Sequence, residues 1–222
     1  VNGVREAGGG ARGKDEGLSP GWQAALAEAW EAYLHDSYPI GACVVDADGV
    51  VLARGRNRLG EPRRVEGGFI AGHDLAHAEI NALLNLAATP YPECHTWTVL
   101  TTVEPCPQCA GAIAMSGIRG MAYAAPDPWG GCTRLLTDDP YVSGKRIRVG
   151  RAPEDVQRVA LRLKAHALWE EERPLGERNV LDSFAAQYPE DVAFAGQLYR
   201  SGQLLALRER GAGLEEALAV LA

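Results

Sequence analysis

The chain has 222 residues, 46% of them hydrophobic and 23% charged, with a formal net charge of −7. That length accommodates one full domain with an appendage. No apolar run of about eighteen residues occurs, which excludes a membrane-spanning helix, and the acidic balance argues against strong non-specific attraction to nucleic acid while leaving room for a local basic patch.

Residues 1–17 hold six glycines among charged residues. Such a segment has little to bury and is expected to be flexible. Ser19-Pro20 reads as an N-cap followed by proline in the first helical turn. Trp22, Leu26, Ala29, Trp30, Tyr33 and Leu34 then recur at helical spacing, as one apolar stripe that packs on a sheet. Ile40–Asp46 and Val50–Gly55 are short apolar runs joined by Ala47-Asp48-Gly49, a hairpin signal. Cys43 reads as a buried structural cysteine.

Residues 59–72, with four glycines and Pro62, read as a loop. Ile80, Leu83, Leu84 and Ala87 predict a helix over 76–88 with one buried face, ended by Pro90 and Pro92. Thr96–Val103 reads as a central strand. A helix is expected from Pro105 to Ser116, closed by Gly117, then a strand over Arg119–Ala125 and a loop at 126–131. Lys145–Arg151 is the candidate fifth strand. From Pro153 the chain becomes leucine- and alanine-rich, with helices expected to about Glu172 and over 179–187, 189–209 and 213–221. The division expected is a flexible segment at 1–17, an α/β domain at 18–152 and a helical extension at 153–222. The alternation of strands and helices fits a three-layer α-β-α arrangement.

The chemistry is concentrated in His77-Ala78-Glu79 and Pro105-Cys106-Pro107-Gln108-Cys109. Two of the five cysteines form the Cys-x-x-Cys pair, a usage that favours metal over disulfides. The N-terminus lacks a basic stretch followed by an apolar one, so a cytoplasmic location is expected. His77, Cys106 and Cys109 supply imidazole and thiolate donors for zinc; a catalytic zinc keeps its fourth position for water. Cys106 and Cys109 share a helix face and are expected in its first turn. His77 and Glu79, two positions apart, can converge only if both stand at a helix start. The bland alternative is a structural zinc closed by Cys94, His95 or Cys132.

His-x-Glu followed by Pro-Cys-x-x-Cys is the signature of zinc-dependent nucleobase deaminases. Together with Pro39–Ala42, Arg56–Arg58, Ala76–Ile80 and Glu104–Ile113, these motifs make residues 20–130 resemble the cytidine and deoxycytidylate deaminase superfamily, in particular the branch of tRNA adenosine and guanine deaminases. The resemblance implies a mixed five-stranded sheet with helices on both faces, Zn2+ as cofactor, and a homodimer. It implies hydrolytic deamination: zinc-activated water adds to the amino-bearing ring carbon, Glu79 shuttles protons, and ammonia leaves. It assigns substrate contacts to Asn57, the backbone of Ala78, and Asp127.

Among the other residues, Glu104 reads as a backbone anchor, Trp129 as a stacking surface or turn residue, and His73 as a solvated loop histidine. Cys132 lies beside two glycines near the site. His35 and His166 read as surface positions on helices. The first substrate reading is a free nucleobase or nucleoside. The alternative is adenosine in a tRNA loop, for which residues 145–164 offer a local charge of +5, although 137–222 as a whole carry −2. A third reading is a non-catalytic zinc module; the presence of Glu79 speaks against it.

Overall fold

The computed structural model describes residues 18–86, 92–171 and 180–222. The expectations for 1–17, for Ala87 and Ala88, and for Pro90 as a helix stop lie outside the described residues. Helix α1 (Pro20–Leu34) is entered through Ser19 with proline in its first turn. Strands β1 (Gly41–Val45) and β2 (Val51–Arg56) form the expected hairpin. Its turn is built by Asp46, whose carboxylate accepts from the N–H groups of Asp48 and Val50, each at 2.9 Å, and by Gly49 at φ +82.

The glycine-rich loop expected at 59–72 contains a second, small hairpin: β3 (Arg64–Glu66) antiparallel to β4 (Phe69–Ala71). These three-residue strands lack the alternating apolar pattern of a core strand. Asn81, fully buried on the next helix, pins them instead. Its Oδ1 accepts from the Ile70 N–H at 2.7 Å, and its Nδ2 donates to the carbonyls of Ile70 and Arg56, each at 3.0 Å. Phe69 lies against the guanidinium groups of Arg58 and Arg64.

Helix α2 (Ala78–Leu84) buries Ala78, Glu79, Asn81 and Ala82, whereas Leu84 is exposed. Of the expected face, Leu83 therefore packs only at the margin of the core and Leu84 not at all, because α2 lies so close to β2 that only small side chains fit between them. A Cβ on Gly55 would stand 2.1 Å from the Ala82 nitrogen. After a 3-10 turn at Cys94–Thr96 come β5 (Thr98–Val103), α3 (Pro107–Met115) and β6 (Gly120–Ala125). Short helices α4 (Arg134–Asp138) and α5 (Pro140–Ser143) lead to β7 (Arg148–Arg151), inside the segment expected to be the fifth strand.

The sheet order is β2-β1-β5-β6-β7. β1 is antiparallel to β2 and β5, and β5, β6 and β7 run parallel. The result is the mixed five-stranded sheet of a cytidine-deaminase-like α-β-α fold, with β5 at its centre. One face packs on α2 and α3 around Val44, Val99, Ile113 and Met121. The other packs on α1 and on α6 (Glu154–Glu170) around Leu26, Leu100, Val103 and Leu163.

The remaining chain forms α7 (Val180–Gln187), α8 (Pro189–Ser201), α9 (Gln203–Glu209) and α10 (Leu214–Leu221). The single helix expected over 189–209 is broken at Gly202, which adopts φ +68. That left-handed residue ends one helix and starts the next. His166, expected at the surface, is fully buried on α6 against Tyr33. His35 is exposed as expected. No helix among the described residues is long and apolar enough to cross a membrane.

Candidate metal centre and active site

Two helix starts meet at the end of the sheet where β5 finishes. His77 is the N-cap of α2, in an extended conformation, and its carbonyl accepts the first helical bond from the Asn81 N–H at 3.0 Å. Cys106 is the N-cap of α3, also extended, and Cys109 lies within the first turn. The helix was expected to begin at Pro105 with both cysteines in its first turn. It begins instead at Pro107, because proline biases the preceding residue away from helical geometry and suits the first helical position. Cys106 and Cys109 thereby approach one point from outside and inside the helix end.

The Nδ1 of His77 lies 3.5 Å from the Cys106 sulfur and 3.4 Å from the Cys109 sulfur. A tetrahedral zinc with Zn–S of about 2.3 Å and Zn–N of about 2.05 Å separates its nitrogen and sulfur ligands by roughly 3.6 Å. The three donors, all within 4.8 Å of one another, fit that ion. Hydrogen bonding from Cys109 and then from His77 holds the Cys106 thiol down to about 4, the thiolate form that binds metal. Cys94, His95 and Cys132 do not join this cluster, which contains three donors among the described residues. Three protein ligands are the number a catalytic zinc uses.

Glu79 is 3% exposed. The Thr101 hydroxyl donates to its Oε1 at 3.0 Å, and the Cys109 sulfur lies 3.2 Å from its Oε2. Burial pushes its carboxyl above the ordinary range, opposed in part by hydrogen bonding to its own backbone N–H and by the charge of His77. His77 and Glu79 converge as their two-residue spacing demands, one as cap and one in the first turn.

Asn57 follows β2 and is 1% exposed. Its N–H donates to the Ile40 carbonyl at 2.9 Å, and its Oδ1 accepts from Leu59 at 3.0 Å. Ala78 opens α2, so its backbone N–H is one of the first-turn donors that the helix itself leaves unpaired. Asp127 follows β6; its Oδ1 accepts from the N–H groups of Trp129 and Gly130 at 2.9 and 2.8 Å, an Asx-type turn. Trp129 beside it is exposed.

Glu104 ties this turn to the metal loop. Its carboxylate accepts from the Asp127 N–H and from both the N–H and the hydroxyl of Thr133. It is the backbone anchor the sequence suggested. Cys132 is buried and donates its N–H to the Pro105 carbonyl at 2.8 Å. His73 accepts from the Leu75 N–H at 3.0 Å, so it shapes the turn before His77 and is not simply solvated. Sequence reasoning missed Thr101. A threonine in a strand carries no motif, and only packing brings its hydroxyl to Glu79.

Three zinc donors gathered at two helix starts beside a buried carboxylate define a candidate metal centre. The profile described as the cytidine and deoxycytidylate deaminase zinc-binding region matches residues 19–125. A cytosine deaminase from Candida albicans is 31% identical over 123 residues, covering 54% of this chain and 73% of the relative. A tRNA-specific adenosine deaminase from Agrobacterium fabrum is 40% identical over 109 residues, covering 48% and 64%. A tRNA(Ile)-lysidine synthase from Deinococcus radiodurans is 37% identical over 147 residues, covering 61% of this chain and only 23% of that relative. The chain therefore belongs to the cytidine and deoxycytidylate deaminase zinc-binding family, and its cofactor is zinc.

Proposed function

We propose that the protein hydrolytically deaminates a free nucleobase or nucleoside. The observation that carries this reading is the buried Glu79 carboxylate, held by Thr101 beside the metal-ligating sulfur of Cys109. Zinc bound by His77, Cys106 and Cys109 supplies Lewis acidity and lowers the pKa of water. Glu79 takes a proton from the attacking water, delivers it to the ring nitrogen, and later protonates the departing amine. The C–N bond breaks, ammonia leaves, and a carbonyl remains on the ring. Asn57 offers its side-chain amide, Ala78 its backbone N–H, and Asp127 its carboxylate to the bound base. Residues 18–152 form the catalytic unit in this reading, and 153–222 extend it with the helix that closes one face of the sheet. A homodimer is part of the same proposal and is read by light scattering.

One observation favours a small molecule over tRNA. The basic run at 145–164 is largely engaged within the fold. Arg162 donates to Asp191 and to the carbonyl of Leu221, Arg158 pairs with Glu154, Arg151 donates to Gln157, and Lys164 is buried. Cations already committed in this way do not form a continuous phosphate-binding stripe. The tRNA reading is kept because of the Agrobacterium fabrum relative, 40% identical.

Ammonia release from zinc-loaded protein tests the choice, using guanine, adenine, cytosine, their nucleosides, and an unmodified tRNA transcript. Turnover of a small molecule supports the first reading. Turnover of the transcript alone, lost with added salt, reverses it.

A further inference from the structure

Asn81 is fully buried on α2, one turn beyond the metal ligand His77. A buried amide is costly unless its donors and its acceptor are paired. Here they are. Its Oδ1 accepts from the Ile70 N–H at 2.7 Å, and its Nδ2 donates to the carbonyls of Ile70 and Arg56, each at 3.0 Å. One side chain therefore joins three segments: the helix that carries Glu79, strand β4, and the end of β2.

The bond to Arg56 bears directly on the site. The Arg56 carbonyl and the Asn57 N–H belong to one planar peptide group. Its oxygen is held by Asn81, and its N–H donates to the Ile40 carbonyl at 2.9 Å. The following peptide group is held too, because the Arg58 N–H donates to the Ala76 carbonyl at 3.0 Å, directly before His77. Both peptides that flank Asn57 are thus tied to α2 or to the residue that leads into it. The hairpin adds a further contact, with the Arg58 guanidinium 4.4 Å from the centre of the Phe69 ring.

The geometry accounts for the residue type. At Gly55 the backbone of α2 lies directly on β2, so a side chain as short as asparagine spans the gap. An apolar residue would fill the same space and leave three backbone groups unpaired. The structure also holds a natural control. Asn85, the C-cap of α2, donates to the Arg54 carbonyl at 2.7 Å, the same kind of bond on the same edge strand, but in an exposed position and away from Asn57.

We propose that Asn81 is a positioning residue of the deaminase site. It holds the Arg56–Asn57 peptide, and with it the Asn57 side chain, in register with the helix that carries His77 and Glu79. This rests on the reading of Asn57 as a substrate contact and deepens it: the distance between the bound base and the metal is set by one buried amide, with the β3–β4 hairpin fastened to the same group.

The test is a double-mutant cycle on zinc-loaded, full-length protein. Ammonia release is measured on guanine, adenine, cytosine and their nucleosides, and kinetics are followed on a compound that wild type turns over. Asn81→Ala is expected to raise KM about tenfold, the scale of one lost hydrogen bond, with kcat within about threefold and zinc content unchanged. Asn81→Asp keeps the acceptor for the Ile70 N–H and loses the donation to Arg56. It is expected to show the same rise, and it decides the question if the alanine variant fails to fold. Asn85→Ala is expected to leave KM within about twofold. Asn57→Ala should raise KM by itself, and adding Asn81→Ala to it should raise KM no more than about twofold further, because the residue being positioned is gone.

An unchanged KM in the Asn81 variants, beside a raised one in Asn57→Ala, overturns the role of Asn81 and leaves the reading of Asn57 standing. The same holds if Asn81→Ala raises KM as much in the Asn57→Ala background as alone, or if Asn85→Ala raises it equally, since either result marks a general structural effect. An unchanged KM in Asn57→Ala overturns the substrate contact itself, and the positioning role with it. Absence of turnover by wild type on every compound overturns the small-molecule deaminase reading on which both rest.

Discussion

The Oε2 of Glu79 lies 3.2 Å from the sulfur of Cys109. A carboxylate that is not a member of the donor cluster thus touches a residue that is, the position that the proposed role of Glu79 requires. The contact exists because α2 and α3 both start at the same end of the sheet, each capped by a metal-binding residue. The consequences can be checked one by one.

Thr101 orients Glu79 through the 3.0 Å hydrogen bond to Oε1. Thr101→Val removes the hydroxyl and keeps the shape. We expect kcat to fall about tenfold from the misplaced carboxylate, with zinc content unchanged. Steady-state kinetics with zinc analysis checks this, and an unaltered kcat would show that Glu79 is held by other contacts.

Zinc removal should destabilise the fold, because two sulfurs and an imidazole are gathered at 3.4 to 3.5 Å around the metal position. Chelation is expected to lower Tm by on the order of 5 °C, reversed by added zinc. Cys106→Ser should bind markedly less than one zinc per chain. Calorimetry and metal analysis read both outcomes.

Gly55 lets α2 lie on β2. In Gly55→Ala, the added carbon would meet backbone at 2.1 Å from the Ala82 nitrogen, which cannot yield as a side-chain tip can. We expect a loss of at least about 2 kcal/mol, read by urea denaturation. Activity should fall too, since α2 carries Glu79.

His166 makes stability depend on pH. It is fully buried, its Nδ1 lies 3.4 Å from the Tyr33 hydroxyl oxygen, and it faces Glu170 and the ring of Tyr199. Burial, then the charge of Arg208, pushes it down to about 4 from an ordinary 6.5. Because the folded value is the lower one, its contribution is complete above pH 6.5 and is lost as pH falls toward 4. The loss amounts to roughly 3 kcal/mol at full protonation. Glu170, raised by burial, acts in the opposite direction, so the comparison is wild type against His166→Phe. The variant should show a shallower fall in stability between pH 6.5 and 4; equal slopes would contradict the assignment.

Much of the metal centre was legible because its chemistry lies in short motifs. His77 and Glu79 form one short motif, Cys106 and Cys109 another, and each pair stands at a helix start. The β1–β2 hairpin was legible from Asp48-Gly49, and β7 falls within the 145–151 segment expected to be the fifth strand. What was illegible depended on tertiary contacts. The β3–β4 hairpin exists because Asn81 holds it, and nothing within 59–72 records that. Leu84 is exposed because Gly55 draws the small side chains of α2 inward. His166 and Lys164 look like ordinary surface residues of a charged helix, and only the packing of α6 against the sheet, α8 and Tyr33 of α1 buries them. Pro107 did carry a local signal that Cys106 would be a cap, since the residue before a proline favours extended geometry.

The most direct test of the central claim is the Glu79→Ala protein, loaded with zinc and assayed for ammonia release beside wild type on a substrate that wild type turns over. The account predicts one zinc per chain in both proteins and a loss of turnover of about 10²-fold or more in the variant. Retained turnover with zinc bound would contradict the role of Glu79 and the mechanism built on it.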